Sequence, residues 1–206
     1  MAENGIYGGC KESLQKVLED LKGKIKQYCA EEKKNTGIKL VEHLIARIKE
    51  EDSMREKCRR RGLPETPESA LRELYDAIGL RVVCAFRDDI YRNVELIRSF
   101  PGVQVVTEKD YVKNVKPNGY RSYHMILLVE APYTDIDGNN PGKFYAEIQL
   151  RTIAMDSWAA LEHQLKYKKN ITNTELIVSE LKRCADEMAS TDVSMQTIRD
   201  LIREDN

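Results

Sequence analysis

An α/β fold of the α+β type is predicted by two apolar spacings that take turns along the chain. Runs of strand length, β-branched or alternating, occupy residues 80–86, 103–109, 122–130 and 143–151. Before, between and after them, apolar residues three and four apart mark one face of a helix. The last two runs are joined by the turn-rich Asp135-Ile136-Asp137-Gly138-Asn139-Asn140-Pro141, which reads as an antiparallel hairpin. A mixed, largely antiparallel sheet flanked by helices is therefore expected, with helical extensions at both ends.

Leu14, Val17, Leu18, Leu21 and Ile25 predict an amphipathic helix over residues 11–31, ended by residues 33–37. Ile38, Val41, Leu44, Ile45 and Ile48 keep helical spacing. They predict a second helix that continues through a highly charged stretch until Gly62 and Pro64 stop it. A short helix follows Pro67. Leu80-Arg81-Val82-Val83-Cys84-Ala85-Phe86 is apolar and β-branched, as a central strand should be. Residues 88–100 read as a helix, 103–109 as a strand, and 113–119 as a polar loop punctuated by Pro117 and Gly119. After Arg151, Ala154, Trp158, Leu161 and Leu165 form one helical seam. A last helical stretch covers residues 174–203 with a break at 190–192; poor in aromatics, it is expected to dock on the body or on another subunit.

The 206 residues suffice for one well-buried core with an added helical layer. With 33 Lys and Arg against 34 Asp and Glu, charge gives no global attraction to nucleic acid or a membrane, and RNA binding is not indicated. Any anion site must be a local cluster. No apolar run is long enough to span a bilayer, and residues 1–14 lack the basic-then-apolar order of a secretory signal, so a cytoplasmic location is expected. The five cysteines are scattered without CxxC spacing and read as reduced thiols.

Four groups of residues could carry chemistry. Alternation along residues 144–151 turns Phe144, Ala146, Ile148 and Leu150 to the core and Tyr145, Glu147, Gln149 and Arg151 to the other face, which is either solvated or a site. Lys116-Pro117-Asn118-Gly119-Tyr120-Arg121-Ser122-Tyr123-His124 packs cations, aromatics and hydrogen-bonding groups around a tight turn. There Tyr120 could stack on a base while Lys116 and Arg121 neutralise phosphates; a surface hairpin is the plainer alternative. On the second helix Lys49, Ser53 and Lys57 share one face, with Arg47 and Arg59-Arg60-Arg61 nearby. The stripe would suit a polyanion, although charge runs on helices are usually solvated. Asp76 and Glu147 could hold one divalent cation, but spacing alone does not pair them.

Five strings, in order and at matching intervals, resemble the synthetase domain of the RelA/SpoT family over residues 38–168. They are Tyr75-Asp76-Ala77-Ile78-Gly79-Leu80-Arg81-Val82-Val83, Lys109-Asp110-Tyr111, residues 116–124, Glu147-Ile148-Gln149-Leu150-Arg151-Thr152, and Trp158-Ala159-Ala160-Leu161-Glu162-His163. The resemblance implies a nucleotidyltransferase-like synthetase fold with a sheet of about five strands, flanked by extensions at residues 1–37 and 169–206. Among family members it resembles the single-domain small alarmone synthetases, since the His-Asp motif of the hydrolase domain is absent and no room is expected for the regulatory domains.

The implied reaction moves the β,γ-pyrophosphate of ATP to the 3′-hydroxyl of GDP or GTP, giving ppGpp or pppGpp without hydrolysis. By the same likeness, Asp76 and Glu147 hold Mg²⁺ (Mn²⁺ as a substitute), and Glu147 helps deprotonate the attacking hydroxyl. Arg47 and Arg81 flank the adenine; Lys49, Ser53 and Lys57 bind the ATP phosphates; Lys109, Lys116, Tyr120, His124 and Gln149 surround the guanine nucleotide. A homotetramer is implied too. The product-activation string of some members is replaced here by His43-Leu44-Ile45-Ala46-Arg47, so product activation is not expected. Two alternatives stay open: a toxin-type relative acting on tRNA or adenine nucleotides, and a non-catalytic nucleotide- or RNA-binding module.

Overall fold

The computed structural model describes residues 5–166 and 174–204. Helix α1, Lys11–Thr36, buries Leu14, Val17, Leu18, Leu21 and Ile25 on one face, and runs five residues beyond the expected end. Gly37 stops it, because its left-handed φ of 74° lets its N–H turn back to the Lys33 carbonyl at 2.9 Å.

Residues 38–48 depart most from expectation. His43–Ile48 is a strand, β1, and helix α2 spans only Glu51–Arg61. Leu44, Ala46 and Ile48 alternate with the exposed His43, Ile45 and Arg47, so the segment satisfies a two-residue period as well as a helical one. Pairing decides between the two: β1 lies antiparallel to β2, Ile78–Cys84, with Ala46 opposite Leu80. Lys49 therefore precedes α2 and does not share its face with Ser53 and Lys57, and the string His43 to Arg47 lies on a strand.

The short helix expected after Pro67 is a single turn, Ser69–Glu73. Helix α3, Arg87–Arg98, leads to β3, Val103–Asp110; β4, Tyr123–Ala131, and β5, Gly142–Thr152, form the expected antiparallel hairpin. The buried Asp135 carboxylate shapes its turn by accepting the backbone N–H groups of Asp137, Asn139 and Lys143, each at 3.0 Å.

Sheet order is β1-β2-β5-β4-β3, five strands, with only the β2–β5 pair parallel. One face of the sheet is the core: Leu80, Val82, Met125, Leu127, Ala146 and Ile148 join a single buried cluster with the apolar faces of α1 and α3. The other face stays open, and it carries the candidate chemistry.

Helix α4, Ile153–Lys166, buries Trp158, while Leu161 and Leu165 are exposed, so the expected apolar seam fails beyond its first half. Helix α5, Thr174–Glu204, is unbroken through residues 190–192. It docks on the body through buried polar pairs. Asp192 accepts a 2.5 Å hydrogen bond from Thr152 and Asp89 meets Arg199 at 2.9 Å. Burial pushes both carboxyls above their ordinary value, against the pull of Thr152 on the first and of Arg199 on the second.

Candidate active site

Strand register gathers the site. One row across the sheet reads Lys109, His124, Gln149, Arg81 and Ile45; the next reads Thr107, Ile126, Glu147, Gly79 and Arg47. Because residues two apart in a strand point to the same face, both rows look out from the side opposite the core. Six of the residues expected at the site fall in these rows. In the second row Gly79 lies between Arg47 and Glu147. A Cβ there would meet nothing nearer than the Arg47 carbonyl at 3.8 Å, so the protein's own packing does not demand glycine. The bare backbone leaves space above the sheet for a ligand.

Asp76 lies two residues before β2 and is gripped by two cations. Its Oδ2 is 2.6 Å from Lys49 Nζ and 2.7 Å from Lys57 Nζ. Burial alone would raise this carboxyl, yet the two ammonium groups outweigh burial and hold it below the ordinary value. Lys49 reaches Asp76 from the end of β1 and Lys57 from α2, so tertiary packing restores the pairing that their sequence spacing suggested on other grounds.

Glu147 is held from its own sheet. His124 Nδ1 lies 3.0 Å from Oε1, and Gln149 Nε2 donates to Oε2 at 3.2 Å. Burial raises this carboxyl and the Asp76 charge adds to that, but the His124 and Gln149 contacts win and the net shift is downward. The chain continues outward: Tyr120 Oη is 2.8 Å from His124 Nε2 and accepts a 2.8 Å hydrogen bond from Arg151 Nη2. With Nδ1 protonated, one direction satisfies every member, Arg151 to Tyr120 to His124 to Glu147. Arg151 also donates to Gln149 and Asp156, and Asp156 in turn holds Arg81 at 3.1 Å.

Two cavities open on this face and share only Asp76 and Glu147. The first, about 270 Å³, is lined by Ile45, Arg47, Lys49, Gly79, Arg81 and Gln149 as well as the two acids. The second, about 570 Å³, takes Lys57, Arg61, Lys109, Tyr111, Lys116 and His124 among its walls. Gln149, expected with the guanine nucleotide, lines the first cavity. Ser53 is exposed on α2 and lines neither. Tyr120 lines neither as well: its ring packs toward Trp158, with Lys116 Nζ 4.9 Å from its centroid and 4.4 Å from that of Tyr111. Arg121 turns away entirely, to Asp186 of α5 at 2.9 Å.

The sequence alone gives no role to Tyr75, Tyr111, Arg151 or Asp156, while Arg61, expected beside the cationic stripe, lines the second cavity. The signal for Tyr111 was its position two residues after Lys109; for Arg151, its place on the marked face of β5. Nothing local marks Asp156, whose role comes from reaching Arg81 and Arg151 at once.

A divalent cation fits the shared wall. Asp76 Oδ1 is buried without a hydrogen-bond partner among the described residues, and the donors offered are hard carboxylate oxygens. Among the described residues no group of three potential ligands assembles, so phosphate and water oxygens would complete the shell.

Paired cavities meeting at two carboxylates, with cations around both, define a cleft for two anionic ligands on one face of a mixed sheet. A family model described as the region found in RelA/SpoT proteins matches residues 46–172, and the chain belongs to that family. It is 32% identical over 190 residues to GTP pyrophosphokinase YjbM of Bacillus subtilis, covering 92% of this chain and 87% of that protein. It is 38% identical over 146 residues to GTP pyrophosphokinase YwaC of the same organism, covering 71% and 68%. The small alarmone synthetase 1 of Bacillus subtilis bound to its product pppGpp aligns with a TM-score of 0.80 at 32% identity, over 92% of this chain and 94% of that one. The same synthetase bound to AMPCPP aligns at 0.71 and 29%, over 93% and 94%.

Proposed function

We propose that this chain is a GTP pyrophosphokinase that transfers the β,γ-pyrophosphate of ATP to the 3′-hydroxyl of GDP or GTP, forming ppGpp or pppGpp and AMP. The observation that carries the reading is the meeting of two cation-lined cavities at Asp76 and Glu147. Two nucleotides bound side by side would bring the reacting groups to that wall.

In this reading ATP occupies the first cavity, with Arg47 and Arg81 against the adenine and Lys49 turned from Asp76 toward its phosphates; Lys57, a wall of the second cavity, reaches them across the shared Asp76, and Ser53 lies one turn before Lys57. The guanine nucleotide occupies the second, its phosphates near Lys109 and Lys116 and its base against Tyr111, which lines that cavity, and against Tyr120 once that ring turns from Trp158. The 3′-oxygen attacks the β-phosphorus, the bond to the α-phosphate oxygen breaks, and AMP leaves with that oxygen. Glu147 accepts the hydrogen bond of the attacking hydroxyl and receives its proton. A depressed carboxyl is a weak base, so positioning and charge neutralisation by the lysines and arginines carry most of the acceleration. Mg²⁺, with Mn²⁺ as a substitute, would be held by Asp76 and Glu147 and supply neutralisation of phosphate charge.

We place the reaction in the cytoplasm, where its nucleotides are found; among the described residues no helix is long and apolar enough to cross a membrane. A homotetramer is part of the proposal, supported by the exposed Met195, Ile198 and Leu201 of α5 and by Leu161 and Leu165 of α4. Light scattering after gel filtration gives the subunit number. For the reaction, the protein is mixed with ATP labelled at the γ-phosphate, Mg²⁺, and GDP, GTP, ATP or bulk tRNA. Label in ppGpp or pppGpp is expected; label only in tRNA or adenine products would refute the assignment.

A further inference from the structure

Helix α5 is built against the loop that walls the second cavity. Gly119, at φ +88°, sits so close to α5 that a Cβ on it would lie 2.5 Å from Ala185 Cβ and 3.2 Å from Lys182 Cα. Arg121, largely buried, spans the junction, donating to the Gly119 carbonyl and the Ala185 carbonyl, both at 3.1 Å, and to Asp186 at 2.9 Å. Trp158 of α4 donates to the Leu181 carbonyl at 2.8 Å and packs with Leu181 and Ala185, and the ring of Tyr120 rests on this small cluster. The turn closes on itself through Gly119 N–H to the Lys116 carbonyl at 2.8 Å and Lys116 N–H to the Tyr120 carbonyl at 3.2 Å. Moving Gly119 therefore moves Lys116, which lines the cavity.

We propose that α5 sets the affinity for the guanine nucleotide: the Gly119–Ala185 contact and the Arg121 bracket hold the loop bearing Lys116 and Tyr120 in its nucleotide-receiving position. This rests on the reading of the second cavity as the acceptor site. Ala185 and Arg121 are positioning residues, since neither lines either nucleotide cavity. The first cavity takes no wall from α5 or from the loop, so ATP binding should not feel the clamp. If displacement leaves the loop correctly placed a tenth of the time, the apparent acceptor affinity falls about tenfold.

The test uses the full chain carrying Ala185→Leu, which forces bulk into the Gly119 contact, and in parallel Arg121→Gln, which removes the bracket without adding volume. Initial rates are measured against each substrate with the other saturating, with the melting temperature recorded for each variant. The expected result is a rise of about tenfold in the acceptor KM with kcat and the ATP KM within about twofold of wild type. Equal rises for both substrates, a fall in kcat alone, or an unchanged acceptor KM in Arg121→Gln would overturn the clamp. Trp158, the chain's single tryptophan, supplies a second readout on the wild type. GDP should shift its emission and an unreactive ATP analogue should not; an emission indifferent to GDP overturns the proposal as well. A wild type that makes no pyrophosphorylated guanine nucleotide would defeat the proposed function, while the fluorescence titration would still decide the clamp.

Discussion

Replacing Glu147 by glutamine separates the chemistry of the site from its packing. The change keeps shape and removes one charge. Oε1 can still accept from His124 Nδ1, but the new amide nitrogen then faces Gln149 Nε2, donor against donor, where a 3.2 Å hydrogen bond stood. Rotating the amide moves the conflict to His124 and reverses the Tyr120–His124 bond. The first arrangement loses one hydrogen bond and the second leaves the Tyr120 hydroxyl hydrogen without its acceptor, a cost of about 1 kcal/mol. The repulsion between Glu147 and Asp76 disappears too, but the downward shift of the Glu147 carboxyl means its charge is held more than it is repelled. Net stability should therefore fall, by about 1 kcal/mol, a shift of about 2–4 °C in melting temperature for a chain of this size.

Turnover has no such compensation, because the group that receives the hydroxyl proton is gone. A loss of about 10²–10⁴-fold in kcat is expected, with kcat/KM falling in parallel and nucleotide affinities retained. The assay pairs calorimetric melting with formation of labelled ppGpp from ATP and GDP. A folded variant retaining wild-type kcat within about threefold would refute the role of Glu147. A melting temperature lowered far beyond 4 °C would refute the hydrogen-bond account of its surroundings.

Tyr120→Ala should weaken guanine-nucleotide binding by about 1–3 kcal/mol, measured by titration calorimetry, while Tyr120→Phe keeps the ring and most of the affinity; equal losses would point to the hydroxyl rather than the stack. Gly79→Ala should fold normally, since a Cβ meets only the Arg47 carbonyl at 3.8 Å, yet raise the ATP KM while sparing the acceptor KM; substrate-resolved kinetics check it, and an unaffected ATP KM would place the adenine nucleotide elsewhere. Asp192 carries a raised pKa, so its ionised form costs stability at every pH above the folded value and the cost fades as pH falls through it. Asp192→Asn, which still accepts from Thr152, should raise the melting temperature at pH 7–8 by a margin that closes on acidification; a constant margin would refute the sign. Asp76 and Glu147 act oppositely: their depressed pKa values give stability present above the ordinary carboxylate range and lost as pH falls through the folded values, so Asp76→Asn should flatten the acid limb of a melting-temperature profile.

The periodicity of residues alone was enough to mark α1, the central strand β2, the β4–β5 hairpin, and the face of β5 that carries Glu147 and Gln149, because each of those patterns has one solution that buries its apolar side. It failed at residues 43–48, where Leu44 and Ile48 fit a helix face and a strand face equally and only pairing with β2 broke the tie. It also failed at Leu161 and Leu165, whose spacing is helical but whose side chains find no partner among the described residues' buried cores. The resemblance named residues of the site; what joins them was decided by tertiary structure. Asp76, Lys49 and Lys57 come from three separate segments of the chain, and Arg121, which reads as a phosphate ligand in the sequence, is drawn instead to Ala185 and Asp186 some sixty residues away. Local spacing reports which face a side chain occupies; strand order and helix docking determine which charge it meets, because those contacts depend on distances through space that the chain's own periodicity does not contain.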